Sequence, residues 1–182
     1  GQGLAALHNV AQAHFGWHSD NYIGLGRQLN CLTHDWGRFF IEYRLVPQID
    51  WIADNRIRQE FRQALTRHAS RLRDFLNDHS KGPCLLHGDL WSGNVLFDAS
   101  KVYLIDPAVY YGDSEVDIAM TELFGGFHPG FYSAYRQVRP LSAAYSTKKS
   151  LYNLYHYLNH YNLFGASYLD GCRAGIALPT TL

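Results

Sequence analysis

The sequence predicts a mainly helical α+β domain in which a small β-hairpin carries a polar loop. Long stretches repeat apolar residues at every third or fourth position, the period of an amphipathic helix. Short apolar runs between positions 84 and 105 are too brief for helices and are bounded by Gly, Asp and Asn, as strands are. With 182 residues, 47% hydrophobic and 18% charged, the chain can bury one sizeable core and is not disordered.

In chain order, Leu4, Leu7, Ala11 and Phe15 predict a first helix closed by Gly16. His8 and His14 on it are expected to bond neighbouring polar groups. Residues 17–30, rich in Trp, Asp, Asn and Gly, read as a loop held by Asx turns. Asp35 to Leu45 predicts a helix with Trp36, Phe39, Phe40 and Tyr43 on its apolar side. Residues 55–79 give the longest pattern, with Ile57, Phe61, Leu65, Ala69, Leu72 and Phe75 or Leu76 inward. The arginines Arg56, Arg58, Arg62, Arg67, Arg71 and Arg73 are interleaved with Glu60, Asp74 and Asp78, so they read as a solvated face. Gly82-Pro83 ends that helix.

Leu85-Leu86, Val95-Leu96-Phe97 and Val102-Tyr103-Leu104-Ile105 predict short buried strands, the last two joined by the turn 98–101. Cys84 reads as a small core residue. Ser114-Glu115-Val116-Asp117 has the form of a capping box heading a helix through Leu123, and Gly125-Gly126 closes it. Leu151, Leu154, Leu158, Tyr161 and Phe164 or Gly165 mark a long last helix. Its His156 and His160, at i,i+4, could share a metal, but no Glu follows His156, so packing roles are expected.

The loop His87-Gly88-Asp89-Leu90-Trp91-Ser92-Gly93-Asn94, followed by Asp106, carries the chemistry. The Asp89-to-Asn94 interval is that of the protein-kinase catalytic loop, and Asp106 falls where such enzymes place a metal-binding Asp. Phosphoryl transfer to a hydroxyl needs a carboxylate to orient it and take its proton. It also needs hard oxygen ligands for Mg²⁺, which takes few protein ligands. The spacing therefore assigns Asp89 as base, Asn94 and Asp106 as ligands of magnesium and its nucleotide, and His87 as a brace of the loop.

The same loop, with Asp106-Pro107-Ala108 and Tyr110-Tyr111-Gly112-Asp113-Ser114-Glu115-Val116-Asp117-Ile118-Ala119-Met120, resembles the fructosamine kinase (ketosamine kinase) family. That family lies within the aminoglycoside-phosphotransferase and choline-kinase group. Asp20-Asn21-Tyr22-Ile23-Gly24, Gln28-Leu29-Asn30 and Trp36-Gly37-Arg38-Phe39-Phe40 add to the likeness, which runs from about Leu4 to Gly126. It implies a protein-kinase-like fold, ATP and Mg²⁺ as cofactors, and a small ketosamine or glycated amine as substrate, with protein deglycation as the role. It also implies that residues 17–30 approach that substrate, making Asp20, Asn21 and Gln28 candidate contacts. Asp117 matches an acidic residue that braces the catalytic loop. Trp91 and Trp36 offer indole faces suited to a sugar. Asp113 and Glu115 are weaker candidates for a substrate amine.

A kinase fold also needs an N-terminal lobe with a Gly-rich loop and a Lys. No such pattern precedes Gly1, and Gly24-Leu25-Gly26 is out of order. Residues 1–182 are therefore expected to form a single C-terminal lobe, inactive alone, whose partner is the N-terminal lobe of the same protein. Formal net charge is zero, which gives no case for nucleic acid. No apolar run of about 18 residues suggests a membrane span. Cys31, Cys84 and Cys172 show no disulfide or zinc spacing, which points to the cytoplasm. The rival readings are a kinase for an aminoglycoside, choline or another alcohol, a pseudokinase, and a metal hydrolase built on His87, Asp89 and Asp106.

Overall fold

In a computed structural model, residues 1–99 and 101–177 are described. An antiparallel sheet of four short strands forms the centre: Phe15–Gly16 (β1), Leu32–Thr33 (β4), Cys84–Leu86 (β5) and Tyr110–Gly112 (β8). Its order is β4-β1-β8-β5, with Leu85 opposite Tyr111. Two separate hairpins flank it: Asn21–Ile23 (β2) with Gly26–Gln28 (β3), and Val95–Phe97 (β6) with Val102–Leu104 (β7). Helices make up most of the rest, so the structure is the mainly helical α+β fold that the patterning predicts.

The first helix is shorter than its periodicity predicts. It covers Gln2–Leu7 (α1) and ends before Ala11 and Phe15. Beyond it the backbone turns to the sheet: the Val10 carbonyl accepts from Leu85, Ala11 bridges Cys84, and Phe15 joins β1. Those pairings use the groups a longer helix would need. The 17–30 segment also departs from a plain loop, since β2 and β3 form a hairpin turned by Gly24 at φ +53.

Asp35 caps Trp36–Phe40 (α2) by accepting from Arg38 N–H at 2.9 Å. The helix then widens into a π turn over Ile41–Leu45 before Val46–Trp51 (α3). Pro47 supplies the cause. It has no N–H for the carbonyl one turn back, and its ring crowds that carbonyl. The stranded Tyr43 carbonyl is taken by the Arg44 guanidinium at 2.8 Å. Asp54 caps the long helix Asn55–Asp78 (α4), which buries Phe61, Leu65, Leu72 and Leu76 and leaves Arg56, Arg67, Arg71 and Arg73 exposed.

Three further helices follow β8: Glu115–Thr121 (α5), Pro129–Val138 (α6) and Tyr145–Phe164 (α7), with Leu169–Ala177 (α8) last. The main core joins α2, α4 and α7 around Trp36, Phe39, Phe40, Phe61 and Tyr152. A smaller core of Leu4, Ala5, Leu90, Ile118 and Tyr135 joins α1, α5 and α6 beneath the polar loop. Among the described residues, no helix is long and apolar enough to cross a membrane.

The β6–β7 hairpin is not the buried pair the sequence predicts. Leu96, Phe97 and Val102 are 51%, 76% and 60% exposed. Nothing in the described chain is laid over this ribbon, and only Val95 packs against the smaller core. Ser100 in the turn, within the predicted 98–101 span, lies outside the described residues. The buried partner of β5 is β8, whose three residues are too few to show a strand period. Ser114 likewise makes no side-chain cap for α5; its Oγ accepts from Arg139, and Asp113 caps Glu115 N–H instead.

Candidate active site

The loop begins where β5 runs out. Gly88 has φ +82, and a Cβ there would lie 2.1 Å from the Ala108 carbonyl oxygen, so only glycine fits. At this turn the backbone donors of His87 and Gly88 find no strand. Asp117, fully buried on α5, accepts both, His87 N–H to Oδ2 and Gly88 N–H to Oδ1, each at 2.8 Å. From the C-cap of α1, His8 Nε2 reaches the same carboxylate at 3.1 Å, and its Nδ1 meets the Tyr135 hydroxyl at 2.8 Å. Burial alone would raise the Asp117 pKa, but His8, His87 and the Gly88 amide outweigh it and hold the group below the usual range. Leu90 then plugs into the smaller core and pins the following turn.

His87 works with both ring nitrogens. Nε2 donates to the Ile105 carbonyl at 2.9 Å, and Nδ1 accepts from Asp89 N–H at 3.3 Å, partners that set the tautomer. The imidazole thus ties the Asp89 loop to the chain entering Asp106. Asn94 ends the short 3₁₀ turn Ser92–Asn94. Its Nδ2 donates to the Asp89 carbonyl at 2.9 Å and approaches Asp89 Oδ2 at 3.4 Å. Ile105 N–H donates to the Asn94 carbonyl at 3.1 Å, so Asn94 and Asp106 sit together at the neck of the hairpin. Asp106 has φ +50, the one positive value at a non-glycine among the described residues. That backbone strain is typical of functional positions.

Asp89 is partly buried, and burial first, then the negative fields of Asp117 and Asp106, pushes its carboxyl up to about 6. Such a group is mostly ionised near neutrality and takes a proton more readily than an ordinary Asp. No described hydrogen bond uses Asn94 Oδ1, and the Asp106 side chain is exposed. Two hard oxygen donors therefore stand beside one carboxylate.

The remaining candidates divide sharply. Trp91 is 40% exposed beside the loop. Trp36, expected as a face for sugar, is instead in the main core, its indole N–H donating to the Tyr152 hydroxyl at 3.0 Å. Gln28 is buried as well, tying Asn21 and the Ala108 carbonyl together while accepting from Tyr155. Asn21 donates to the Val109 carbonyl, and Asp20 holds Asn30 N–H and Arg27. Asn21 and Gln28 hold the 17–30 segment against the chain that follows Asp106, whereas Asp20 bonds only within that segment. Asp113 and Glu115, expected near a substrate amine, are buried against Lys148 at 2.6 and 2.7 Å.

Sequence reading missed Arg44 and Lys148. Arg44 is fully buried, stacks on Tyr110 at 4.0 Å and donates to the Leu29 carbonyl and Asn30. The available signal was an Arg placed among the aromatic and aliphatic residues of the helix from Asp35 to Leu45. Among the described residues, no group of three or more His, Cys, Asp or Glu is placed to hold a metal ion. A hydrolase centre on His87, Asp89 and Asp106 has no geometry here, because both His87 nitrogens are engaged.

A braced His-Gly-Asp loop with Asn and Asp at the neck of a hairpin defines a kinase-like fold. Solved structures agree. One from Thermobifida fusca, assigned as a fructosamine-3-kinase, superposes with a TM-score of 0.84 at 30% identity, over 98% of this chain and 62% of that one. Another from Haemophilus somnus, similarly assigned, gives 0.83 at 30% identity over 97% and 60%. The fructosamine kinase family model matches residues 1–178, and the chain belongs to that family. A probable ketoamine kinase of Synechocystis sp. is 46% identical over 92% of this chain and 57% of its own length. The chloroplastic protein-ribulosamine 3-kinase of Arabidopsis thaliana is 41% identical over 92% and 52%. The chain thus spans little more than half the length of these curated relatives.

Proposed function

We propose that this chain is the C-terminal catalytic lobe of a kinase that moves the γ-phosphoryl group of ATP onto a sugar hydroxyl of a ketosamine. The observation that carries this reading is the Asp89–Asn94 unit, locked to itself by one side-chain amide and to the fold by Asp117. The substrate class, a fructosamine or ribulosamine, rests on the family and on the names of its relatives. With that substrate, the reaction fits a role in protein deglycation.

Asp89 orients the acceptor hydroxyl and takes its proton as the new P–O bond forms and the bond to ADP breaks. Asn94 fixes the Asp89 backbone through Nδ2, leaving its side-chain oxygen Oδ1 free. That oxygen and the Asp106 carboxylate are the hard donors magnesium prefers, so the residues present fit Mg²⁺. Bound there, the ion would offset phosphate charge. Trp91, partly exposed in the loop, would cover the apolar face of the sugar, while Asn21 and Gln28 would act indirectly by shaping the neighbouring segment. The part of its relatives' length that this chain does not span would supply the remaining nucleotide contacts, so residues 1–182 alone are expected to be inactive. Three free cysteines suit a reducing compartment, the cytoplasm.

The test is ADP release by the full-length protein with Mg²⁺ and ATP, across a fructosamine, a ribulosamine, choline and an aminoglycoside. Turnover confined to a ketosamine is expected. Turnover with choline or the aminoglycoside instead would overturn the substrate class, and turnover with none would overturn the acceptor assignment altogether.

A further inference from the structure

His156 lies on α7 directly behind the polar loop. Its side chain is fully buried, and neither ring nitrogen has a hydrogen-bond partner. An unpaired buried polar group is costly. Its ring packs on that of Tyr155, and its own carbonyl accepts from His160 Nδ1 at 2.9 Å, so the backbone is fixed while the side chain is not satisfied. Burial, and then His160, push its pKa down to about 3, so the ring is neutral and offers one N–H and one lone pair. The nearest ionisable oxygen is Asp89 Oδ1, 3.9 Å from Nδ1. That separation is too long for a hydrogen bond, and a shift of about 1 Å would make one.

We infer that His156 is a positioning residue for Asp89: in the loaded enzyme its Nδ1–H donates to Asp89 Oδ1 and leaves the other oxygen to the acceptor hydroxyl. The inference rests on the reading of Asp89 as general base. It explains why a fully buried neutral imidazole is kept unpaired at this one place. Apo sites commonly show such contacts long, tightening only in the reactive complex. Asp89 has no other described side-chain donor besides the 3.4 Å approach of Asn94. A second donor on the opposite oxygen would stop the carboxylate from rotating.

The test compares His156→Leu, His156→Asn and His156→Gln in the full-length enzyme. Asn places an amide where Nδ1 stood, whereas Gln places it where Nε2 stood. His156→Leu and His156→Gln should lose about 10–100-fold in kcat, the worth of one hydrogen bond to a charged group, with KM for both substrates nearly unchanged. His156→Asn should recover most of that loss. The thermal midpoint of His156→Leu should not fall, because an apolar side chain replaces an unsatisfied polar one. Wild-type kcat in His156→Leu or His156→Gln, or equal loss in all three variants, would overturn the inference. Asp89→Asn measured alongside separates the two ideas. If Asp89→Asn is crippled while the His156 variants turn over normally, only the role of His156 falls. If Asp89→Asn turns over normally, the base assignment itself is wrong.

Discussion

A methyl group at Gly88 would meet the Ala108 carbonyl oxygen at 2.1 Å in a backbone already at φ +82. Gly88→Ala should therefore cost about 2 kcal/mol or more, the sum of a left-handed non-glycine and a backbone clash. Thermal unfolding would show it. Asp106→Ala should instead leave stability near wild type and raise the Mg²⁺ needed for half-maximal activity by about 10–100-fold. A magnesium titration of the full-length protein that does not move would remove Asp106 from the cation site. Asp89 and Asn94 could be singled out in the sequence because they are five positions apart and bond each other, with His87 two positions before Asp89. The distant partners of His8, Arg44, Lys148 and His156 could not be read this way. His8 and Asp117 are 109 positions apart, and only the fold brings them together. Trp36 shows the converse error, since an indole suited to sugar is equally suited to a core.

Helices with a full apolar stripe, α4 and α7, were legible from periodicity. The shortest elements were not. β1, β4 and β8 hold two or three residues each, below the length at which alternation can be seen, and the π turn follows from a proline whose effect is felt one turn upstream. The brace between α1, α5 and β5 is a unit of this scale, with Asp117 at its centre. Because its folded pKa lies below the unfolded value of about 3.9, ionised Asp117 stabilises the fold above that pH. This contribution is lost as pH falls through the folded value. The urea-midpoint gap between wild type and Asp117→Asn should therefore be wide at neutral pH and shrink below about pH 4. A gap that persists unchanged into acid would mean that the carboxylate charge does not hold the loop.

Across the whole molecule, the sheet and two cores set the polar loop at one end, beside a hairpin with Leu96, Phe97 and Val102 open to solvent. Relatives are roughly twice this length, and we propose that the remainder packs as a second lobe over that end. If it is right, amide exchange in Val95–Phe97 and Val102–Leu104 should be about tenfold or more slower in the full-length protein than in residues 1–182 alone. Equal exchange would place the rest of the chain elsewhere.

The most direct measurement is kcat and Mg·ATP affinity for Asp89→Asn in the full-length protein with a ketosamine acceptor. The expected result is a kcat lower by roughly 10²–10⁴ with nucleotide affinity nearly unchanged, the loss of a positioned general base. Turnover close to wild type, or a loss explained wholly by weaker nucleotide binding, would contradict the assignment of Asp89 as the group that takes the proton.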